Sequence, residues 1–451
     1  MQPTLLFIMF NTLSLKKMIS ALRPGYTAPN EVEIGGALLD SIYNQEKAKC
    51  YEYLNEQIVN LSIDGWSNVH NEPILCAVVT TEKGENYLVD SIDTSGSSHT
   101  SEYLAEVTKS TIIKCENEFK CVVRSSVTDN ASNVKGMRTN IQSDPNLNLI
   151  TYGCSAHLLN LFAEDINIPN IKGQILHIVK YFRNNHLANA KYREAGGLKL
   201  VIPLEVRWNT MADCISAYLR NWSIIVKVCD ENRKDIDDNV YKKVTNFGIK
   251  RSAEELLRRL KPISTALDKM QQKDCTISKA VDIWKKLEKD LKDENLDKAC
   301  LAKFSNRYSQ ALGPPHFLAN LLDPRYAGIN LTPVEKTESL IFINEEYPQS
   351  IMPVIFKYQA KSEPFHEFLF NPNIVNQVSP IDWWKSQIAG NVEVKNAVLD
   401  MISQLFTAQA SSASVERVFS TFGLVQSKLR NRLGNEKAGK LVFLFKQFSN
   451  K

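Results

Sequence analysis

The spacing of apolar residues along the chain changes near residue 58. Residues 17 to 57 have helical spacing, interrupted at Arg23-Pro24-Gly25. The runs IVNLSID, PILCAVVT and NYLVDSID follow, each short and β-rich, with turn-compatible polar segments between them. This pattern predicts an N-terminal helical segment and then three strands in a meander.

The next segments alternate between helix and strand. SSHTSEYLAEVTKSTIIKCENE is helix-spaced, CVVRSSVTD predicts a strand that ends at Asp129, and a helix is predicted from about Ala131. A short strand, LITYG, and a helix, SAHLLNLFAED, complete the order βββαβαβα. That order predicts an α/β, ribonuclease-H-like mixed sheet with helices on its faces. In that fold the first and fourth strands are neighbours, so we expect Asp64 and Asp129 to meet.

After Pro203 the strand signal disappears, and helical spacing dominates 209–231, 239–272, 276–308 and 335–371. The 287 positions from Asp129 to Glu416 are too many for a loop within one compact domain. We therefore predict a large all-helical insertion domain and a helical C-terminal region. The expected domains are an N-terminal helical segment, the first part of the core, the insertion, and the return to the core, at residues 1–57, 58–205, 206–375 and 376–451.

Composition narrows the class of protein. The chain has 451 residues, 43% hydrophobic and 23% charged, which is typical of a globular protein with two or three domains. A net charge of +4 permits local nucleic-acid contacts without arguing for them. Nine scattered cysteines without a C-x-x-C pair favour a reducing compartment. The apolar run Leu5–Phe10 is too short to cross a membrane, and no other stretch could do so.

Three carboxylates stand where the local pattern changes: Asp64 in SIDGWSN, Asp129 in SVTDNASN and Glu416 in SSASVERVFS. Oxygen ligands of this kind suit hard divalent cations, and the combination suggests phosphoryl transfer on nucleic acid. The alternative for each Asp is a turn or helix-cap residue whose carboxylate accepts from nearby backbone N–H groups. The neighbouring Asn130 and Asn133 are expected to cap the following helix.

The strings around these acids resemble motifs of the hAT superfamily of DNA transposases: D-x-W-(T/S), T-D-x-A-x-N and S-S-A-x-x-E-R-x-F-S, in that order. The resemblance implies that Asp64, Asp129 and Glu416 bind two Mg²⁺ or Mn²⁺ ions and catalyse cleavage of DNA at transposon ends. Hairpin formation and strand transfer would follow. It also implies DNA as partner and the nucleus as location.

Further residues are candidates for DNA contact. Arg207 and Trp208 match the R-W pair common in the superfamily, although Trp208 is alternatively a core aromatic of the first inserted helix. His157 in YGCSAHLLNL is a candidate DNA-contacting group or a structural residue at a helix start, and Cys154 completes a C-x-x-H string with no second pair to form a zinc site.

The C-terminal part adds a basic cluster and an apolar region. The cluster in QSKLRNRL could contact DNA backbone or form a solvated helix face; it comprises Lys428, Arg430 and Arg432. Trp383 and Trp384, with the apolar residues of 415–448, resemble the hAT dimerisation region and imply a homodimer or higher homo-oligomer. The apolar terminal helix around Phe443 is expected to pack on the insertion or on a partner.

Three functions remain open from the sequence. The first is a transposase, or a remnant of one, with a competent metal site. The second is a catalytically inactive, transposase-derived nuclear protein that acts by DNA association and dimerisation. The expected absence of a BED-type zinc finger favours this second function, because no C-x-x-C followed by a His pair precedes residue 58. The third is a cellular nuclease of the same fold.

Overall fold

The structure is a computed structural model that describes residues 13–166, 168–203, 210–294, 296–388, 390–426 and 433–449. These residues include one mixed sheet of five strands in the order β3-β2-β1-β4-β5. The strands are β1 Ile58–Ser67, β2 Pro73–Thr81, β3 Asn86–Asp93, β4 Val122–Thr128 and β5 Ile150–Gly153. The predicted meander of three strands and the two later strands are therefore confirmed.

Strand β1 lies at the middle of the sheet, antiparallel to β2 and parallel to β4. The predicted contact between the first and fourth strands is thus confirmed. The ladder with β4 has an irregularity between Val59 and Asn60, after which Ser62 pairs with Val127. Strand β1 does not end at Asp64, as the pattern suggested, because Gly65, Trp66 and Ser67 continue the pairing with β2.

Helices make up most of the remaining described chain. They are α1 Leu13–Leu22, α2 Glu31–Glu33, α3 Leu39–Leu54, α4 Ser101–Glu118, α5 Ser132–Gln142, α6 Ser155–Asp165, α7 Ile171–Asn184, α8 His186–Glu194, α9 Thr210–Glu231, α10 Asp238–Val244, α11 Phe247–Met270, α12 Ile277–Asp293, α13 Lys298–Ala311, α14 Pro314–Leu322, α15 Pro333–Glu346, α16 Met352–Gln359, α17 Pro372–Val375, α18 Pro380–Gln387, α19 Val392–Thr407, α20 Ala413–Val425 and α21 Asn435–Ser449. A π-helical turn, Ile34–Leu38, joins α2 to α3, and 3₁₀ turns occupy Gln349–Ile351 and Glu367–Phe370. None of these helices combines the length and the apolar character that a membrane span requires.

Contacts divide the chain into two compact units. The sheet unit comprises Met1–Cys154, Thr276–Ser278 and Leu318–Lys451, and the helical unit comprises Ser155–Cys275 and Lys279–Phe317. Helix α6 belongs to the helical unit because it packs on α11 and α13. The predicted boundaries at 205/206 and 375/376 follow sequence pattern rather than contacts, and they stay a prediction.

Helices cover both faces of the sheet. Leu75 of β2 packs with Leu104 of α4 and Met137 and Ile141 of α5. Its neighbour Cys76 belongs instead to the larger core cluster, which includes residues of α3, α20 and α21. Because successive side chains of a strand point to opposite faces, Leu75 and Cys76 point to opposite sides of the sheet, and the smaller cluster with α4 and α5 lies on the Leu75 side.

A buried polar contact ties three strands together at the irregularity in β1. Asn60 is fully buried; its Oδ1 accepts hydrogen bonds from Ser125 Oγ of β4 at 2.9 Å and Tyr152 OH of β5 at 3.1 Å, and its Nδ2 donates to Ser62 Oγ at 3.3 Å. A buried polar group is stable only when it is paired, so these bonds select one alignment of β1, β4 and β5.

We expect Asn60→Ala to lower the free energy of unfolding by about 2 to 4 kcal/mol, because it removes the acceptor that two buried hydroxyls share and opens a small cavity. Urea denaturation followed by circular dichroism measures the change. Asn117→Ala, on the exposed face of α4 in the same unit, is the matched control and should change stability by less than about 0.5 kcal/mol. Equal stabilities of the two variants would contradict this role for Asn60.

Candidate functional site

Asp64 and Asp129 lie at the same end of two adjacent parallel strands. Each stands two residues beyond the register pair Ser62 and Val127. Asp64 is still within β1, whereas Asp129 immediately follows β4. Both line a cavity of about 340 Å³. We expected these two acids to lie close together. The pairing of their strands and their shared cavity agree with that expectation.

Packing of α20 on the sheet brings Glu416 to the same region. Trp66, two residues after Asp64, stacks on Phe419 with ring centroids 6.0 Å apart and contacts Phe422 at 5.8 Å. Val415 and Val418 of α20 are buried in the core cluster shared with β1 and β2. Glu416 is in the first turn of α20, so this apolar contact sets the position of its carboxylate.

The three carboxylates have different local partners. Asp64 Oδ1 accepts from the backbone N–H of Gly65 at 2.8 Å, and Asp129 Oδ1 accepts from that of Ala131 at 3.2 Å. These are the turn-type bonds expected of an Asp without a catalytic role. Glu416 Oε1 is different, because it is buried and has no hydrogen-bond partner among the described residues.

Burial and mutual repulsion raise the pKa of two of these acids. Burial, and then the nearby charge of Asp129, raise the pKa of Asp64 to about 7, while the Gly65 N–H opposes the shift. Burial, and then the charge of Asp64, raise the pKa of Glu416 to about 8, against the attraction of Arg417. Asp64 thus interacts electrostatically with both of the other acids. Like charges held together in a partly buried site favour either protonation or a bound cation.

Two further residues, which no sequence pattern indicated, lie beside this site. His99 lines the cavity, and its Nε2 lies 2.7 Å from Thr94 Oγ1. Arg138 of α5 donates to Thr128 Oγ1 at 2.7 Å and to the backbone oxygen of Asp129 at 2.5 Å. Arg138 therefore holds the backbone of Asp129 in place. Neither residue belongs to a motif, so only their positions in the fold could identify them.

The asparagines beside Asp129 do not cap the following helix, and that prediction is wrong. Helix α5 begins at Ser132, and its N-cap residue is Ala131, with no side-chain cap hydrogen bond. Asn130 Nδ2 donates instead to the backbone oxygen of Cys154 at 3.0 Å, and Asn133 Nδ2 donates to that of His99 at 2.9 Å. The two side chains therefore bind the segments that contain Cys154 and His99, because formation of the sheet brings those carbonyls to hydrogen-bonding distance.

Cys154 connects the ends of β5 and α20. Its buried Sγ accepts from the backbone N–H of Ser412 at 3.4 Å, immediately before the Glu416 helix. A Cβ at the adjacent Gly153 would lie 1.9 Å from Asn130 Oδ1, so a larger residue there would displace the Asn130 side chain. These contacts give Cys154 a structural role within the sheet unit.

The side chains at this site have the donor chemistry that a divalent cation requires. The donor set is entirely carboxylate oxygen, as Mg²⁺ and Mn²⁺ prefer, and the buried Glu416 Oε1 without a partner is the kind of atom that a cation satisfies. In their present orientations, however, no three His, Cys, Asp or Glu side chains of the described residues form a group that could hold a metal ion. The donor chemistry fits a cation, and binding requires the side chains to move from these orientations into one group.

Most of the other predicted DNA contacts lie outside the described residues: Arg207, Trp208, Lys428, Arg430 and Arg432. His157 is described; it is half-buried in α6 of the helical unit. Its contact with DNA stays a prediction.

The C-terminal apolar residues are packed within the chain's own sheet unit. Trp384 is buried, stacks on Tyr358 at 4.7 Å and donates from Nε1 to the backbone oxygen of Leu322 at 2.9 Å. Val442 and Phe443 of α21 are buried in the core cluster with α3 and the sheet. The expectation that this helix packs on the insertion or on a partner is therefore wrong for these two side chains.

Comparison with known families identifies two regions. Residues 29–181, which contain Asp64 and Asp129, match the model of a domain of unknown function, DUF659. Residues 359–448, which contain Glu416, match the hAT family C-terminal dimerisation region. The chain belongs to the hAT family. It is a transposase or a protein derived from one. No curated protein matches it.

Membership in the hAT family bears on assembly. The dimerisation region of this hAT protein supports association with copies of itself. That region contains α20, which carries Glu416, and α21, and both helices pack on the sheet. The same segment of the hAT protein therefore completes the candidate site.

The raised pKa of Glu416 predicts a pH-dependent stability. Between the ordinary pKa of 4.5 and about 8, the folded state binds a proton that the unfolded state releases, so the free energy of unfolding falls as pH rises. Without divalent cations, Glu416→Gln should therefore stabilise the protein at pH 9, by on the order of 1 to 3 kcal/mol, and change little at pH 4.

Thermal or urea denaturation in EDTA at the two pH values measures this difference. Glu393→Gln changes an exposed first-turn glutamate of α19 and is the matched control. A Glu416→Gln variant whose stability follows the parent protein at both pH values would refute the assignment.

Proposed function

We propose that this hAT-family protein is a metal-dependent DNA transposase with a ribonuclease-H-like core. Asp64, Asp129 and Glu416 are the proposed catalytic carboxylates and ligands, and DNA ends and target DNA are the proposed substrates. The observation that supports this most directly is the electrostatic interaction of Asp64 with both other acids, beside a buried Glu416 oxygen without a partner.

The proposed reaction is cleavage of a DNA phosphodiester, followed by hairpin formation and strand transfer. Two bound Mg²⁺ or Mn²⁺ ions would supply activation of a water or 3′-hydroxyl and stabilisation of the leaving oxygen. Asp64 and Asp129 approach from adjacent strands, and Glu416 approaches from a helix packed on β1. Arg138 keeps the Asp129 backbone in place, so the three oxygen donors are held by separate, rigid elements.

A second function is favoured by a different observation. Asp64 and Asp129 accept from their own neighbouring N–H groups, and the described side chains form no ready metal group. A transposase-derived protein that has lost catalysis could keep these bonds, because they stabilise the turn and the strand. Such a protein would act in the nucleus by DNA association and self-association.

Strand cleavage in the presence of Mn²⁺ or Mg²⁺ tests the proposed function. We expect the full chain to nick duplex DNA, and we expect EDTA to abolish the nicking. Asp64→Asn, Asp129→Asn and Glu416→Gln should each reduce the rate about a hundredfold or more, because each removes a ligand. The matched control is Glu106→Gln, an exposed carboxylate on α4 that should leave the rate unchanged.

Persistent nicking by the Asp129→Asn variant would rule out this site. Retained DNA binding without any metal-dependent nicking would favour the second function over the first.

The proposed assembly is a homodimer. Sedimentation equilibrium of the full chain should give twice the mass of one chain at micromolar concentration, because the hAT dimerisation region is present. A single-chain mass that is independent of concentration would contradict self-association.

A further inference from the structure

Positive charge is concentrated in one short part of the helical unit. Residues 170–203 contain six lysines or arginines and a single acid, Glu194. This excess exceeds the net charge of +4 for all 451 residues. A local excess of this size on a nearly neutral chain creates a directional field for anions.

Three of these cations surround one cavity of about 480 Å³, which we call the basic cavity. It is lined by Arg183, Asn189, Tyr192, Arg193, Leu198 and Lys199, among others, and by no carboxylate. Arg183, Arg193 and Lys199 are exposed and take part in no ion pair found among the described residues. Lys191 close by differs, since it pairs with Asp235 at 3.3 Å. The charges around the basic cavity are therefore available to a ligand.

The wall of the basic cavity is a fixed loop. Gly196 has φ +84° and ends α8, and Gly197 lies against the Tyr192 ring, where a Cβ would come within 2.3 Å of Cζ. The Tyr192 hydroxyl donates to the backbone oxygen of Leu198, whose N–H donates to Asn221 Oδ1 at 2.8 Å. The backbone beside Lys199 is thus held by contacts on both sides.

We propose that the basic cavity binds phosphate groups of the DNA backbone. Arginine guanidinium groups bind phosphate oxygens through paired N–H donors, and three cations around one opening match a chain of several phosphates better than one small ion. Tyr192 is buried, so its ring does not offer a stacking surface to a base. Binding here positions DNA without reading its sequence. The choice of DNA rests on the proposed function.

The test compares two triple variants of the full chain. The first is Arg183→Gln, Arg193→Gln, Lys199→Gln. The second, Lys234→Gln, Arg251→Gln, Lys273→Gln, removes the same charge from exposed positions of the helical unit outside the basic cavity. Fluorescence anisotropy with a labelled duplex measures affinity from 50 to 200 mM NaCl, and circular dichroism checks that both variants fold.

We expect the first variant to bind duplex roughly tenfold or more weakly, with a salt slope shallower by about 2 to 3, because about three phosphate contacts are lost. The second variant should differ from the parent protein by less than about threefold. Equal losses in both variants, or no loss in the first, would overturn the proposal, since affinity would then follow net charge alone.

Inorganic phosphate distinguishes a nucleic-acid site from a small-anion site. At equal ionic strength, replacing chloride by 10 mM phosphate should not displace the duplex from the parent protein. Displacement of the duplex by phosphate from the parent protein, but not from the first variant, would assign the basic cavity to free phosphate and overturn its assignment to DNA.

Protection of Lys199 from acetylation by bound duplex, read by mass spectrometry, provides a second measurement. Unchanged acetylation of Lys199 would also count against the proposal.

The outcomes separate this proposal from the proposed function. Loss of binding in the first variant, together with failure of metal-dependent nicking by the parent protein, would retain the basic cavity and reject the transposase activity. Metal-dependent nicking by the parent protein, with unchanged duplex binding in the first variant, would retain the transposase activity and reject the basic cavity as a DNA site.

Discussion

The parallel pairing of β1 with β4 is the contact on which the candidate site depends. Parallel neighbours place equivalent ends on the same side of a sheet, so residues 65 positions apart in sequence come to one edge. The pairing is held at its irregularity by Asn60, which accepts from both β4 and β5. A one-residue shift of β1 would break these bonds and turn Asp64 to the other face.

The second constraint is apolar. Trp66, Phe419 and Phe422 attach α20 to the central strand, and the buried side chains of α21 extend the same core toward α3. Aromatic side chains bury large areas, so this contact holds a segment that arrives almost 300 residues after β4. The family's dimerisation region is therefore also part of the core of a single chain.

The apolar packing disfavours ionisation of the carboxylates that it brings together. Packing draws Glu416 into a partly buried environment, and the pKa values of Asp64 and Glu416 rise because burial and like charge both disfavour ionisation. A fold that only needed to pack would be more stable with neutral side chains at these positions. Holding acids together at a cost in stability is typical of sites that bind cations or carry out proton transfer.

The sequence by itself determined the strands, most helices, the adjacency of β1 and β4 and the motif residues Asp64, Asp129 and Glu416. The elements and motifs depend on periodicity and short strings, which are local properties, and the adjacency of β1 and β4 follows from the order of the elements. Tertiary structure alone decided that Asn130 and Asn133 bind distant carbonyls, that Arg138 contacts Asp129 and His99 lines the same cavity, and that Arg183, Arg193 and Lys199 share another. Such contacts join residues whose distance is set by packing, and no local pattern encodes that distance.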